Sequence, residues 1–355
     1  MPTASVDTFF ACSLLVILAV LAMASLPKVL YPYIEIVDDQ STEEQLQQLA
    51  QYIMFNIGEP ANWGSNPHIF PNDFGLAAEG ITESYFLDAD KVTRMNGENS
   101  YAITYAQILD ALNTDNVALQ IRVQPLFETS IELLSADDEG DKTNYNFEVT
   151  TQKSGAPVTA NLSCYLAIAD HLDSSFCLTN SNGKANVTFA LPNSLNGTAC
   201  LVVLAQATVN PKIASFNVYS FNHNAQSVKE EGTFLTLNPL NHMLNASLNY
   251  PNLQIQKAYA FSHGYWADLT LFSNKTQTID YSFPQFVDES ATILLLTGSN
   301  STQSFAEWVA YPQIPLSIGV NFDASTSKAD VFSFTYVVTV NYALCEIHVR
   351  CRKVG

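Results

Sequence analysis

The segment from Thr8 to Pro27 constrains this chain more than any other: twenty residues without a charge, bounded by Asp7 and Lys28. At about 1.5 Å rise per residue, a helix of that length crosses a hydrocarbon layer of roughly 30 Å. The sequence therefore predicts a lipid bilayer as the first partner, with one membrane helix and the bulk of the chain extracellular. A second reading is a cleaved secretory signal, because Ala22-Met-Ala24 fits the small-residue pattern before a cleavage site. Against cleavage, Met1 to Thr8 contains no Lys or Arg, and the apolar core exceeds the about 7–15 residues usual in a signal. A helix buried in a soluble core is the third reading. Retention as an anchor is the working expectation, so the chain is expected at the cell membrane as a single-pass protein.

Charge narrows the partners. Only 14% of residues are Asp, Glu, Lys or Arg, where about a quarter is usual. Asn, Ser, Thr and Tyr take their place, which suits a strand-rich exterior protein. The net charge is −19, and residues 34–98 hold 12 acids against 2 bases. Such a surface repels phosphate backbones, so nucleic acid is not an expected partner.

Downstream, Ser41-Thr-Glu-Glu44 is a capping box opening a helix whose apolar positions run through Leu46, Leu49, Tyr52, Ile53 and Phe55. Gly58-Glu-Pro60 ends it, and an aromatic loop follows to about residue 80. Asp88 can cap a short helix through Lys91, Val92 and Met95, and a further helix is predicted over about 102–112. From Val117 to Leu134 the apolar period changes to two, which indicates a strand or a hairpin. Ser135 to Asp141 is an acidic, Gly-containing hinge, read as a solvated linker with a calcium site as the alternative.

Three segments, Gly58-Glu-Pro-Ala-Asn-Trp-Gly64, Phe74-Gly-Leu-Ala77 and Leu87-Asp-Ala-Asp-Lys-Val92, follow the apolar run. Together with it they resemble archaeal membrane-anchored, pilin-like surface proteins over about residues 1–135. The resemblance implies an N-terminal helix serving as anchor or assembly stem, with the body displayed outside and copies of itself or other surface proteins as partners. Met1 to Asp7 lacks the basic residue and Gly at which type IV pilins are processed.

From Tyr145, apolar alternation recurs between turns at Ser154-Gly-Ala-Pro157, Asn180-Ser-Asn-Gly183 and Asn193 to Gly197, as in an antiparallel sandwich. Gly155-Ala-Pro-Val158, Ala160 to Tyr165 and Thr179 to Ala185 resemble Ig-like domains of the invasin and carboxypeptidase-regulatory kind, which implies a spacer or adhesion module. Strands continue to the end, where Pro315 to Phe322 and Ala329 to Val349 suggest a closing hairpin. The fold class expected is α+β, mostly β. It comprises a transmembrane anchor (1–30), an α+β membrane-proximal region (31–140), an Ig-like β-sandwich (141–210) and a C-terminal antiparallel β region (211–355). That last region is expected to share a sheet with 117–134 if the sandwich is an insertion.

None of the usual catalytic or phosphate-binding motifs occurs, so no enzyme, cofactor or metal is predicted. The candidate binding residues are aromatic: Trp63, Phe70 and Phe74 in one loop, Tyr265 and Trp266 in another. Such rings either stack on a sugar or a partner's pocket, or plug the end of a core. Sequons at Asn161, Asn186, Asn196, Asn245, Asn274 and Asn300 are candidate glycosylation sites. Five cysteines follow the apolar run, and Cys164 with either Cys200 or Cys177 is the pairing open to the middle domain, if they are not simply buried thiols. The expected function is non-catalytic: structural or adhesive display at the cell surface, in a pilin-like or envelope assembly. The alternative is an ectodomain that captures a glycan, peptide or small solute.

Overall fold

The computed structural model describes residues 41–81, 83, 85–224, 232–286, 291–300, 303–324 and 331–354. The apolar run Thr8 to Pro27 lies outside them. No helix among the described residues is long and apolar enough to cross a membrane. Residues 1–51 and 52–355 form two units, and the packing below is that of the second.

Strand dominates, at 56% against 10% helix, so the chain is a mostly β protein with several sheets. Helix α1 covers 41–55 and ends before Gly58, where the backbone turns left-handed (φ 79°). Strand β1 (Phe86–Leu87) precedes α2 (Ala89–Thr93), whose N-cap Asp88 accepts from the amides of Asp90 and Lys91. The next helix, α3 (Tyr105–Leu112), starts on a Thr104/Gln107 capping box and stops at Asn113, which adopts the left-handed conformation. Strand β2 (Val117–Pro125) follows.

Eight strands then build a sandwich: β3 (Glu128–Asp138), β4 (Lys142–Lys153), β5 (Ala156–Pro157), β6 (Ala160–Ile168), β7 (His171–Leu178), β8 (Lys184–Pro192), β9 (Gly197–Ala207) and β10 (Ala214–His223). One sheet holds β3, β4, β5 and β8, and the other runs β10-β9-β6-β7. The sandwich thus reaches beyond 141–210 on both sides. Val117 to Leu134 is not a hairpin, because β2 and β3 belong to different sheets. The acidic run Ser135 to Asp141 closes the β3–β4 hairpin instead of hinging two domains. Asn180 to Gly183, between β7 and β8, instead crosses from one sheet to the other. Gly183 is required there because a Cβ would collide with the Thr151 carbonyl.

A second sandwich contains β11 (Leu235–Leu240), β12 (Met243–Leu248), β13 (Leu253–Ser262), β14 (Tyr265–Asp268), β15 (Thr270–Asn274), β16 (Thr278–Ser282), β17 (Thr292–Asn300) and β18 (Gln303–Tyr311). Its sheets run β11-β12-β16-β15 and β14-β13-β17-β18. The two sandwiches stack face to face. Cys164, Leu166 and Val203 point into the first, while Tyr165, Val202 and Leu204 on the same strands meet Tyr259, Phe261, Ile293 and Leu295 of the second. Leu294 and Leu296 then face the core of the second sandwich. The inner strands β9 and β17 are apolar on both faces for this reason, and they read as unbroken runs where outer strands alternate.

The last strands are β19 (Leu316–Gly319), β20 (Phe332–Val340) and β21 (Ala343–Lys353). They join earlier ones in a five-stranded sheet, β1-β20-β21-β2-β19. Val117 pairs with Lys353 and Val123 with Ile347, so β2 and β21 share a sheet across both sandwiches. The closing hairpin is β20–β21, within 332–353, and β19 instead pairs with β2. Asn341, left-handed at φ 55°, turns Ala329 to Val349, expected as one strand of a hairpin, into two strands of its own. Cys345 and Cys351 lie on one strand and point to one buried face.

Candidate functional site

The 58–80 loop is a structural plug. Trp63 and Phe74 are wholly buried with ring centroids 5.7 Å apart, and the Trp63 indole donates to the Gly75 carbonyl (3.3 Å). Phe70 is about half exposed, and its ring is covered on one side by the Arg94 guanidinium (5.6 Å).

Two buried cations on and beside α2 hold this loop. Lys91 Nζ donates to the carbonyls of Ile57 (2.8 Å) and Ala77 (2.9 Å). Arg94 donates to those of Asn66 (3.0 Å), Ile69 (2.7 Å) and Tyr101 (2.9 Å), and also to Trp63. Burial lowers the pKa of both cations. A Cβ on Gly64 would stand 2.6 Å from Lys91 Cγ, and one on Gly75 would collide with the Asn56 carbonyl. The Asn-Trp-Gly and Phe-Gly-Leu-Ala segments are therefore explained by close packing around α2.

The opposite side of α2 grips the second sandwich. Asp90 accepts from the Asn241 amide (2.7 Å) and the Tyr311 hydroxyl (2.9 Å). Burial pushes Asp90 up to about 6, against the lowering effect of those two donors. Beside it, Asn99 donates to Gln313 Oε1 (2.6 Å) and the Pro239 carbonyl (3.2 Å). The short helix was expected from the sequence, but the burial of Asp90, Lys91 and Arg94 was not, since charged residues on a short helix carry no signal of what will cover them.

Tyr265 and Trp266 lie elsewhere and differently. They sit on β14, an edge strand, and are 55% and 42% exposed. Tyr259 and Phe261, before the turn, are buried between the sandwiches. The turn is tied to β6 by Gly264 N donating to Ser163 Oγ (2.9 Å) and by a His263 Nε2 contact with the Asn161 carbonyl (3.2 Å). On β15, the edge strand of the facing sheet, Leu271 is 55% and Phe272 73% exposed. Phe176 and Leu178 project from β7, the edge of the first sandwich, and are likewise exposed. None of these four is among the aromatic candidates expected from the sequence. Their available signal was apolar residues on short strands lacking clean alternation.

A cleft of about 820 Å³ opens between the two sheets of the second sandwich. Leu253, Ile255, Leu271, Ile279 and Tyr281 contribute its apolar lining, and Asn252, Gln254 and Lys275 its polar lining. It contains none of the candidate aromatics. Of the sequon asparagines, Asn161, Asn186, Asn196 and Asn274 are exposed. Asn245 and Asn300 are half-buried, Asn245 donating to Asp280 (2.7 Å) and Asn300 accepting from the Gln303 amide (3.2 Å). Among the described residues no cluster of three or more His, Cys, Asp or Glu side chains is placed to hold a metal ion. No family model and no curated protein matches this sequence.

Proposed function

We propose that this chain is a non-catalytic, membrane-anchored cell-surface protein with a structural or adhesive role, pilin-like or within an envelope assembly. The observation that carries this reading is the set of edge strands β7, β14 and β15, which present Phe176, Leu178, Tyr265, Trp266, Leu271 and Phe272 to solvent. Edge strands bearing exposed apolar side chains are templates for pairing with another chain, and soluble proteins ordinarily blunt them with charge or proline. The uncharged run Thr8 to Pro27 supplies the anchor in this reading, and the exposed sequons suit an exported surface.

The test is membrane fractionation of the full-length chain, followed by cross-linking of the detergent-extracted protein. Retention in the membrane and cross-linked oligomers that disappear in a Trp266→Lys/Phe272→Lys variant are expected. A soluble product beginning near Ser25 would replace the anchor with a cleaved signal. Oligomers indifferent to the double substitution would remove the edge-strand reading.

A second reading, capture of a glycan, peptide or small solute, is favoured by the 820 Å³ cleft. Binding of a member of a glycan or peptide panel that is lost in Tyr281→Ala would support it.

A further inference from the structure

The register of β6 and β7 pairs Leu162 with Cys177 and Cys164 with Ser175. That puts Cys164 and Cys177 on one face of the sheet as diagonal neighbours. Both point into the core of the first sandwich, Cys164 fully buried and Cys177 at its half-buried margin. Their side chains therefore share one patch of that core. Cys200 sits on β9, immediately beside β6, yet its side chain belongs to the layer between the two sandwiches. It is therefore on the opposite face of the sheet from Cys164 and is no partner for it. Cys345 and Cys351 are on β21, in another sheet.

We propose that Cys164 and Cys177 are a redox-active dithiol that closes to a disulfide, pinning the edge strand β7 to β6. Diagonal neighbours on paired strands stand about 7–8 Å apart at Cα, just beyond the roughly 4.4–6.8 Å that a disulfide prefers. One of the two strands must shift slightly for the bond to form. β7 is free to do so because it is hydrogen-bonded along one side only. A bond made at that geometric margin belongs to the readily reduced class, so the crosslink is reversible.

The two sulfurs have different roles. Cys177 stands at the half-buried margin of the core while Cys164 is fully buried, and the neighbouring Cys164 thiol lowers the Cys177 pKa. Cys177 is thus the thiolate that meets an external oxidant, a low-molecular-weight disulfide such as oxidised glutathione. Its sulfur attacks one sulfur of the oxidant, breaking that S–S bond and expelling a thiolate that takes a proton from water. Cys164 then loses its proton to solvent and attacks Cys177 Sγ, expelling the second small thiolate. Two cysteine thiols lose two electrons and two protons, and the small disulfide is reduced to two thiols. The inference is independent of the surface role proposed above.

The test is treatment of the full chain with oxidised glutathione, then alkylation, non-reducing digestion and mass spectrometry. A linked peptide pair joining Cys164 to Cys177, two hydrogens lighter than the reduced peptides and reopened by dithiothreitol, is expected. Amide exchange along β7 should slow on oxidation. In Cys164→Ser, a glutathione adduct should persist on Cys177, and Cys200→Ser should leave the crosslink intact. Recovery of both cysteines alkylated, a persistent adduct on Cys177 while Cys164 is present, or a link through Cys200 would each overturn the proposal. The wild-type mapping decides even if a variant fails to fold.

Discussion

At the scale of single residues, the buried charges around α2 set the strongest expectations. Asp90 is protonated more readily in the folded chain than in the unfolded one, since burial raises it from 3.8 to about 6. Between those values the folded state binds the extra proton, so this group's contribution to stability falls as pH rises from about 4 to about 6. The full effect is on the order of 3 kcal/mol. Denaturant unfolding of wild type and Asp90→Asn across that range should show the wild type losing stability relative to the variant as pH rises. Parallel pH profiles would contradict it. Trp63 offers a simpler expectation: Trp63→Ala empties a fully buried site and should cost about 3–5 kcal/mol by the same measurement. The asparagines have a residue-scale explanation too. Asn113, Asn241, Asn252 and Asn341 all adopt positive φ at turns, where their short polar side chains tolerate the left-handed region.

At the scale of elements, inner and edge strands should respond differently to the same chemical change. Leu295 on β17 is wholly buried between the sandwiches, so Leu295→Ala should cost about 2–5 kcal/mol. Leu271 on β15 is more than half exposed, and Leu271→Ala should stay within about 0.5 kcal/mol while altering association. Unfolding curves read beside sedimentation velocity separate the two effects. The proposed membrane helix has its own test. Leu15→Lys with Leu18→Lys places two charges in its apolar core at about 2.5–3.5 kcal/mol each, and membrane retention should be lost.

At the scale of the whole molecule, the stacking of the two sandwiches changes what an isolated piece can do. The segment 145–210, expected from the sequence to be a complete sandwich, omits β3 and β10, each half of a paired ladder. A longer fragment, 128–223, restores them but leaves Tyr165, Val202 and Leu204 facing water. That fragment should aggregate or bind a hydrophobic dye, whereas a chain carrying both sandwiches should not. A monomeric fragment that binds no dye would show that the layer between the sandwiches contributes little.

Much of the local structure was legible without coordinates. Asp88 caps its helix as a side-chain acceptor at a helix start does, and Gly58 ends α1 because only glycine takes that φ without strain. The period-two segments announced a mostly β chain, since alternation is a property of the strand itself. Partnership was another matter. Asn341 hid a hairpin inside one long alternating segment, β2 and β3 separated into different sheets, and Trp63 proved a plug while Trp266 remained on an edge. An alternating pattern tells how many faces a strand has, but burial depends on which distant strand arrives to cover them. So the unbroken apolar runs of β9 and β17 were visible in the sequence, while only the tertiary structure decided that two sandwiches meet across them. The same non-local pairing left β7, β14 and β15 open and put Cys164 beside Cys177.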